Sequence, residues 1–217
     1  MALTLVYIAA ASILLPLYFV LKRYQFLERK EKILGLYIIL STITEGLTIL
    51  LAQQGQDTRG LGYMFILIEF VLLFIVLLLD LKENISNRLY YTILTLFLLF
   101  AGINFWYFED ISDSYKYLRA VECILLSVFA ILYFFRVFQN PVKYDNIIIP
   151  KKSIASDPMF WISTAILVYF SLNFFLFLII WSLSLPFMFS LWVFQHNGLL
   201  ILRNVFFAIG IWKTQNH

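Results

Sequence analysis

The chain has one cysteine, Cys123, and two histidines, His196 and His217. A single cysteine excludes an intrachain disulfide and a multi-cysteine metal site, and within an apolar stretch it is expected to act as a small packing residue. No H-x-x-H or E-x-x-H spacing supports a metal centre, and no cofactor is implied. Charge is also scarce. Only 13% of residues are charged, where a soluble domain has about a quarter. There is no phosphate loop, dinucleotide fingerprint or G-x-S-x-G elbow. The last apolar stretch has no lysine to hold a retinal, and no Pro-Gln dipeptide marks a small sugar carrier. The net charge of +3 comes from basic residues flanking apolar runs, which is not a nucleic-acid footprint.

Apolar sequence fills the space that charge leaves. Hydrophobic residues make up 62% of the chain and aromatics 19%, and mean hydropathy is +0.88. These values belong to the membrane class. About 20 residues at 1.5 Å rise cross a hydrocarbon core, and stretches of that length recur at about 2–21, 33–52, 62–82, 89–108, 117–138, 159–183 and 190–212. The expected fold is all-α: a polytopic membrane bundle of seven transmembrane helices in one domain, 1–217. The longest segment outside the bilayer runs from Gln139 to Asp157.

Basic residues set the expected orientation. Lys22, Arg23, Arg29, Lys30, Lys32, Lys82, Arg88, Arg136, Lys143, Lys151, Lys152 and Lys213 fall on one side. Arg59, Lys116 and Arg119 fall on the other, and Arg203 lies inside a span. The N-terminus is therefore expected outside and the C-terminus in the cytoplasm of a bacterial inner membrane. The first span lacks a basic n-region and stays apolar up to Lys22, so it reads as a helix rather than a signal peptide, with Pro16 as a kink or packing break. Asp157-Pro158 reads as N-cap and N1 of the sixth helix. Tyr90, Tyr91, Trp106, Tyr107, Tyr115, Tyr117, Trp161, Trp181, Trp192 and Trp212 fall near span ends as an aromatic belt.

Polar residues interrupt most of the spans. Glu45, Glu69, Asn104, Glu122, Asn173, His196, Arg203 and Asn204 are the candidate ligand-binding residues. Residue counts place Glu69, Glu122 and His196 on the order of 10 Å or less below the outer interface, Glu45, Asn104 and Asn173 in the same leaflet, and Arg203 and Asn204 near the midplane. His196, Asn197, Arg203 and Asn204 share a helix face, as do Ser41, Glu45 and Thr48. Each charge near the bilayer centre costs about 2.5–3.5 kcal/mol, which apolar packing avoids. A water-accessible outer pocket explains the set, and a buried structural network is the competing reading. Arg203, taken as the fixed cation there, is expected to neutralise Glu69 or Glu122. The remaining carboxylates then suit a proton, a metal ion or an amine.

Phe160-Trp161 leading to Ile166-Leu167-Val168-Tyr169-Phe170-Ser171-Leu172-Asn173, the Ile68-Glu69-Phe70 string, and His196 with Arg203-Asn204 through Ala208-Ile209-Gly210-Ile211-Trp212 form recognisable strings. On these the chain resembles small seven-helix membrane proteins of Bacteroidota-type bacteria, which are similar to the N-terminal membrane modules of sensor histidine kinases. The resemblance implies a sensory or accessory role and supplies no ligand and no catalytic residue. The sequence ends at His217 without an output domain, so a signal is expected to pass to a separate cytoplasmic partner. The 139–157 segment, with Ile147-Ile148-Ile149 among its lysines, is the expected contact, with burial in inner-leaflet lipid as the alternative. The expected function is a membrane sensor for a small ligand, cation or proton. A proton-coupled or small-molecule transporter, a lipid-modifying enzyme with His196 as base, and an assembly subunit stay open.

Overall fold

The computed structural model describes residues 2–81, 86–107, 111–139, 154–182 and 188–214. Among them regular structure is helical throughout: α1 (Ala2–Ser12), α2 (Leu14–Arg23), α3 (Arg29–Gln53), α4 (Arg59–Leu81), α5 (Asn87–Tyr107), α6 (Ile111–Gln139), α7 (Pro158–Ser182) and α8 (Met188–Lys213). Six helices are long and apolar enough to cross a membrane: 4–26, 29–53, 59–81, 88–107, 116–139 and 158–176. The 26-residue α8 is as long, and Gln195, His196, Asn197, Arg203 and Asn204 dilute its apolar character. Each expected span overlaps a helix, and the observed helices start up to six residues earlier, as at α3, α4 and α6 (29, 59 and 111 against 33, 62 and 117). Much of the 139–157 segment, with Lys143, Ile147-Ile148-Ile149, Lys151 and Lys152, lies outside the described residues, as does Lys82.

Local chemistry sets the ends and breaks. α1 and α2 form one rod interrupted at Ile13. Pro16 brings no N–H to the Ser12 carbonyl, which accounts for a break one turn earlier. After α3, Gly55 takes φ +70 and the Gln56 N–H returns to the Leu51 carbonyl at 3.0 Å, a left-handed helix stop. Asp57 then receives the Arg59 N–H at 2.9 Å and pairs with its guanidinium, opening α4. At α7, the Asp157 carboxylate accepts the Met159 N–H at 2.9 Å, with Pro158 at the first helical position as the sequence predicts. At the same end of the bundle as the start of α7, Lys30 pairs with Asp80 at 3.2 Å, and Arg23 donates to the Trp212 carbonyl at the end of α8.

The helices close a ring. α3 packs on α4, α4 on α6, α6 on α7, α7 on α8, and α8 on both α1 and α2, with α2 returning to α3. α5 stands outside the ring against α4 and α6. Its interior has no charged residue after Arg88, so lipid can cover it. Trp106, Tyr107 and Tyr91 on α5 are the exposed aromatics expected of a belt, at 91%, 78% and 71% exposure. Tyr90 departs from that expectation. It is buried against Phe74 and Phe129, because its face of α5 is the one turned to the ring. Cys123 is a buried packing residue, as expected.

Gly210 lets α7 and α8 approach closely. A Cβ there would lie 2.9 Å from Ile162 Cγ1 and 3.1 Å from the Pro158 carbonyl oxygen, whereas one at Gly46 would meet nothing within 4 Å. Gly210→Ala is therefore expected to destabilise the bundle by about 1–3 kcal/mol through overpacking, with Gly46→Ala neutral or slightly stabilising. Thermal unfolding of both variants in detergent micelles checks this, and equal melting temperatures would refute the close-packing assignment.

Candidate functional site

Four charged side chains from three helices meet inside the ring: Glu69 of α4, Arg119 and Glu122 of α6, and Arg203 of α8. None is more than 7% exposed. Glu69 is the most heavily bonded. Its Oε1 accepts from the Tyr37 hydroxyl at 2.6 Å and from Arg203 Nη1 at 3.0 Å, and its Oε2 accepts from Arg119 Nη1. The same Arg119 nitrogen donates to Glu122 Oε2 at 2.6 Å, and Arg119 Nη2 donates to the Tyr169 hydroxyl at 3.1 Å. Aromatic faces cover the guanidinium groups. That of Arg203 lies 4.3 Å from the Tyr169 ring centroid, and that of Arg119 lies 5.5 Å from Phe170. Two cations match two carboxylates, so the network is neutral when all four are ionised. Glu122 Oε1 and Arg203 Nε are buried with no hydrogen-bond partner among the described residues.

Polar groups continue from this network toward one end of the bundle. One turn along α7 from Tyr169, Asn173 Oδ1 lies 2.9 Å from His196 Nδ1, and the Asn173 amide donates to the Tyr169 carbonyl at 2.7 Å. The His196 and Tyr169 rings are 6.0 Å apart. Asn204 donates to the Ser12 hydroxyl at 2.7 Å, beside the break between α1 and α2. Glu45 is half-buried on α3 and makes no hydrogen bond or ion pair among the described residues. Arg203 is the charge that acts on it. Among the described residues no group of three or more His, Cys, Asp or Glu is arranged to hold a metal ion.

The candidate residues thus divide. Glu69, Glu122 and Arg203 are in direct or shared contact, and Asn173 and His196 join them through Tyr169. Asn204 reaches α1 instead, and Asn104 is buried on α5, outside the ring. The four polar residues read as one face of α8 are indeed turned inward but reach different neighbours. Arg203 reaches α4, His196 α7 and Asn204 α1, while Asn197 bonds the Val193 carbonyl of its own helix.

Three readings need correction. Arg119, counted as a flanking charge on the outer side, is buried inside α6. Its three-residue spacing to Glu122, one turn apart on a helix, was the available signal. Arg203 is consequently one of two central cations, and a three-to-one excess of carboxylates becomes two paired carboxylates with Glu45 set apart. The depth also changes. Glu69 lies about 15 Å from the start of α4 and about 18 Å from its end, and its bond to Arg203 sets the network at mid-height. Tyr37 and Tyr169 escaped notice in the sequence, although tyrosines far from span ends have no belt role and need a buried partner.

These features define a multi-pass helical membrane protein with a charge network at its centre. No protein family model, curated protein or solved structure matches the chain.

Removing Arg119 strands the buried Glu122 and takes one of three donors from Glu69. Arg119→Ala is expected to cost about 3–5 kcal/mol of stability, at least as much as Arg203→Ala. Adding Glu122→Gln should recover part of that loss, because Glu69 keeps Tyr37 and Arg203. Tyr37→Phe should cost about 1.5–3 kcal/mol, the range for a hydrogen bond to a charged group. Unfolding of the single and double variants in micelles tests this; strict additivity of Arg119→Ala and Glu122→Gln would remove the pairing argument.

Proposed function

We propose that this protein is a membrane sensor whose responsive element is the buried network of Glu69, Arg119, Glu122 and Arg203. It crosses a bacterial inner membrane seven times with its N-terminus outside, binds a small ligand, cation or proton at the polar groups between the network and the outer face, and signals through a separate cytoplasmic protein. The observation that carries this reading is an ion network at the meeting point of α4, α6 and α8 that leaves an acceptor, Glu122 Oε1, and a donor, Arg203 Nε, buried and unmet among the described residues. Structural glue has no use for such loose ends, since apolar packing or full pairing is less costly. A species that binds there redistributes bonds among three helices at once, which is what a sensor requires. The resemblance to kinase-linked seven-helix modules supports the same reading.

A carrier is the second reading, and one feature favours it. The α1–α2 rod is broken beside the Asn204–Ser12 bond, and broken helices at mid-membrane polar sites are common in carriers. Flux of substrate or protons in proteoliposomes would favour it over sensing.

Two measurements test the sensor reading. Introduced cysteines at Gln56 and Ser112 are expected to label from outside, and one at Ser153 only after permeabilisation; the reverse pattern would invert the orientation. A photo-crosslinker at Ile148 is expected to capture a distinct cytoplasmic protein. Adducts to lipid alone would leave the sensor without its readout.

A further inference from the structure

Resting on that sensor reading, we infer that the central network is a proton-binding site and that Glu122 is the group that takes the proton, on Oε1. The two carboxylates around Arg119 are not equivalent. Glu69 is held by Tyr37, Arg203 and Arg119, with donors on both of its oxygens. Among the described residues Glu122 has only the Arg119 nitrogen that it shares with Glu69, on one oxygen. Its other oxygen is fully buried and unmet among the described residues. An ionised carboxylate offers about four lone-pair sites, and burying it with one shared donor favours the neutral acid. Glu69, with three donors, is held in its ionised form by the same logic.

The groups around Glu122 pull in opposite directions: burial and the Glu69 charge favour the neutral acid, whereas Arg119 and Arg203 favour the carboxylate. α4 brings Glu69, whose negative charge opposes a second one beside it. α7 brings the Tyr169 hydroxyl, and α8 brings Arg203, with His196 beyond Tyr169. α6 itself supplies Arg119 and the buried Cys123. α5 contributes no charged residue after Arg88, near its start. When Glu122 is protonated, the network gains one positive charge. The faces of Tyr37, Tyr169, Phe170 and Phe207, all within 6 Å of a guanidinium, absorb it. The step balances simply. A proton arrives from water, an O–H bond forms at Glu122, and Arg119 is left bonded to Glu69 and Tyr169. Protonation on Oε1 leaves Oε2 a weaker, neutral acceptor, so Arg119 is held less to Glu122 on its own helix and more by Glu69 of α4 and Tyr169 of α7.

Infrared difference spectroscopy on the full chain in lipid nanodiscs, titrated in pH, tests this. The expected result is a protonated-carboxyl C=O band that grows as pH falls, shifts in D2O, is lost in Glu122→Gln and is retained in Glu45→Gln. If Glu122→Gln does not fold, Glu122→Asp serves instead: it should move the band without abolishing it. The proposal is overturned if no such band appears at any pH where the protein is folded, if the band survives Glu122→Gln, or if Glu122→Asp leaves it unmoved. The measurement involves no partner. A band that behaves as expected alongside lipid-only crosslinks at Ile148 would therefore reject the sensor reading and leave the proton site standing.

Discussion

A carboxylate at mid-membrane depth has no water to meet it, and on the insertion scale such a charge costs about 2.5–3.5 kcal/mol. Glu69 therefore requires donors from its neighbours, and that requirement accounts for which helices are neighbours. Tyr37 must come from α3, Arg119 from α6 and Arg203 from α8. α5, next to α4 in the chain, has no charged residue to offer at that depth and is displaced to the periphery. Chain order alone would pair α4 with α5. The buried charge selects α6.

The two sides of the network differ in kind. From Glu69 toward the end of α4, aromatic rings are tightly stacked. Phe70 lies 3.8 Å from Phe97, and Phe74 contacts Phe70 and Phe129 at 5.3 and 4.8 Å. The Lys30–Asp80 pair closes that end. Toward the other end lie Glu45, Asn173 and His196, the last two joined by a 2.9 Å contact. α2 packs against both α8 and α3 and so completes the ring on the aromatic side, while α1 packs mainly on α8.

The sequence read well where length and composition decide. Helix positions followed from the roughly 20-residue apolar runs, and the start of α7 followed from Asp157-Pro158. It read poorly where a side chain crosses between helices. Arg119 sits near the start of an expected span, where arginines usually flank a membrane, and only its contact with Glu69 from another helix reveals that it is buried. Tyr90 and Tyr91 are adjacent in the chain, yet one is buried and the other exposed. Composition cannot distinguish them, because helical phase relative to the ring decides. Residue counting placed Glu69 too near one face because it ignored α4 beginning at Arg59, before the apolar run, and the reach of arginine and tyrosine side chains.

That both central cations are arginines matters for what the network can do. A buried lysine gives up its proton readily, whereas a guanidinium stays charged, stacks on aromatic faces and presents several donors at once. Arg119 uses that geometry to touch Glu69, Glu122 and Tyr169 together, and Arg203 lies against the Tyr169 ring while bonding Glu69. The positive charge is therefore fixed, and a change in the charge of this network by proton exchange has to come from a carboxylate. Glu69, held by three donors, is the anchor. Glu122, on one shared donor, is the variable member. A rearrangement that begins at Glu122 passes through Arg119, whose side chain bonds α6 to both α4 and α7.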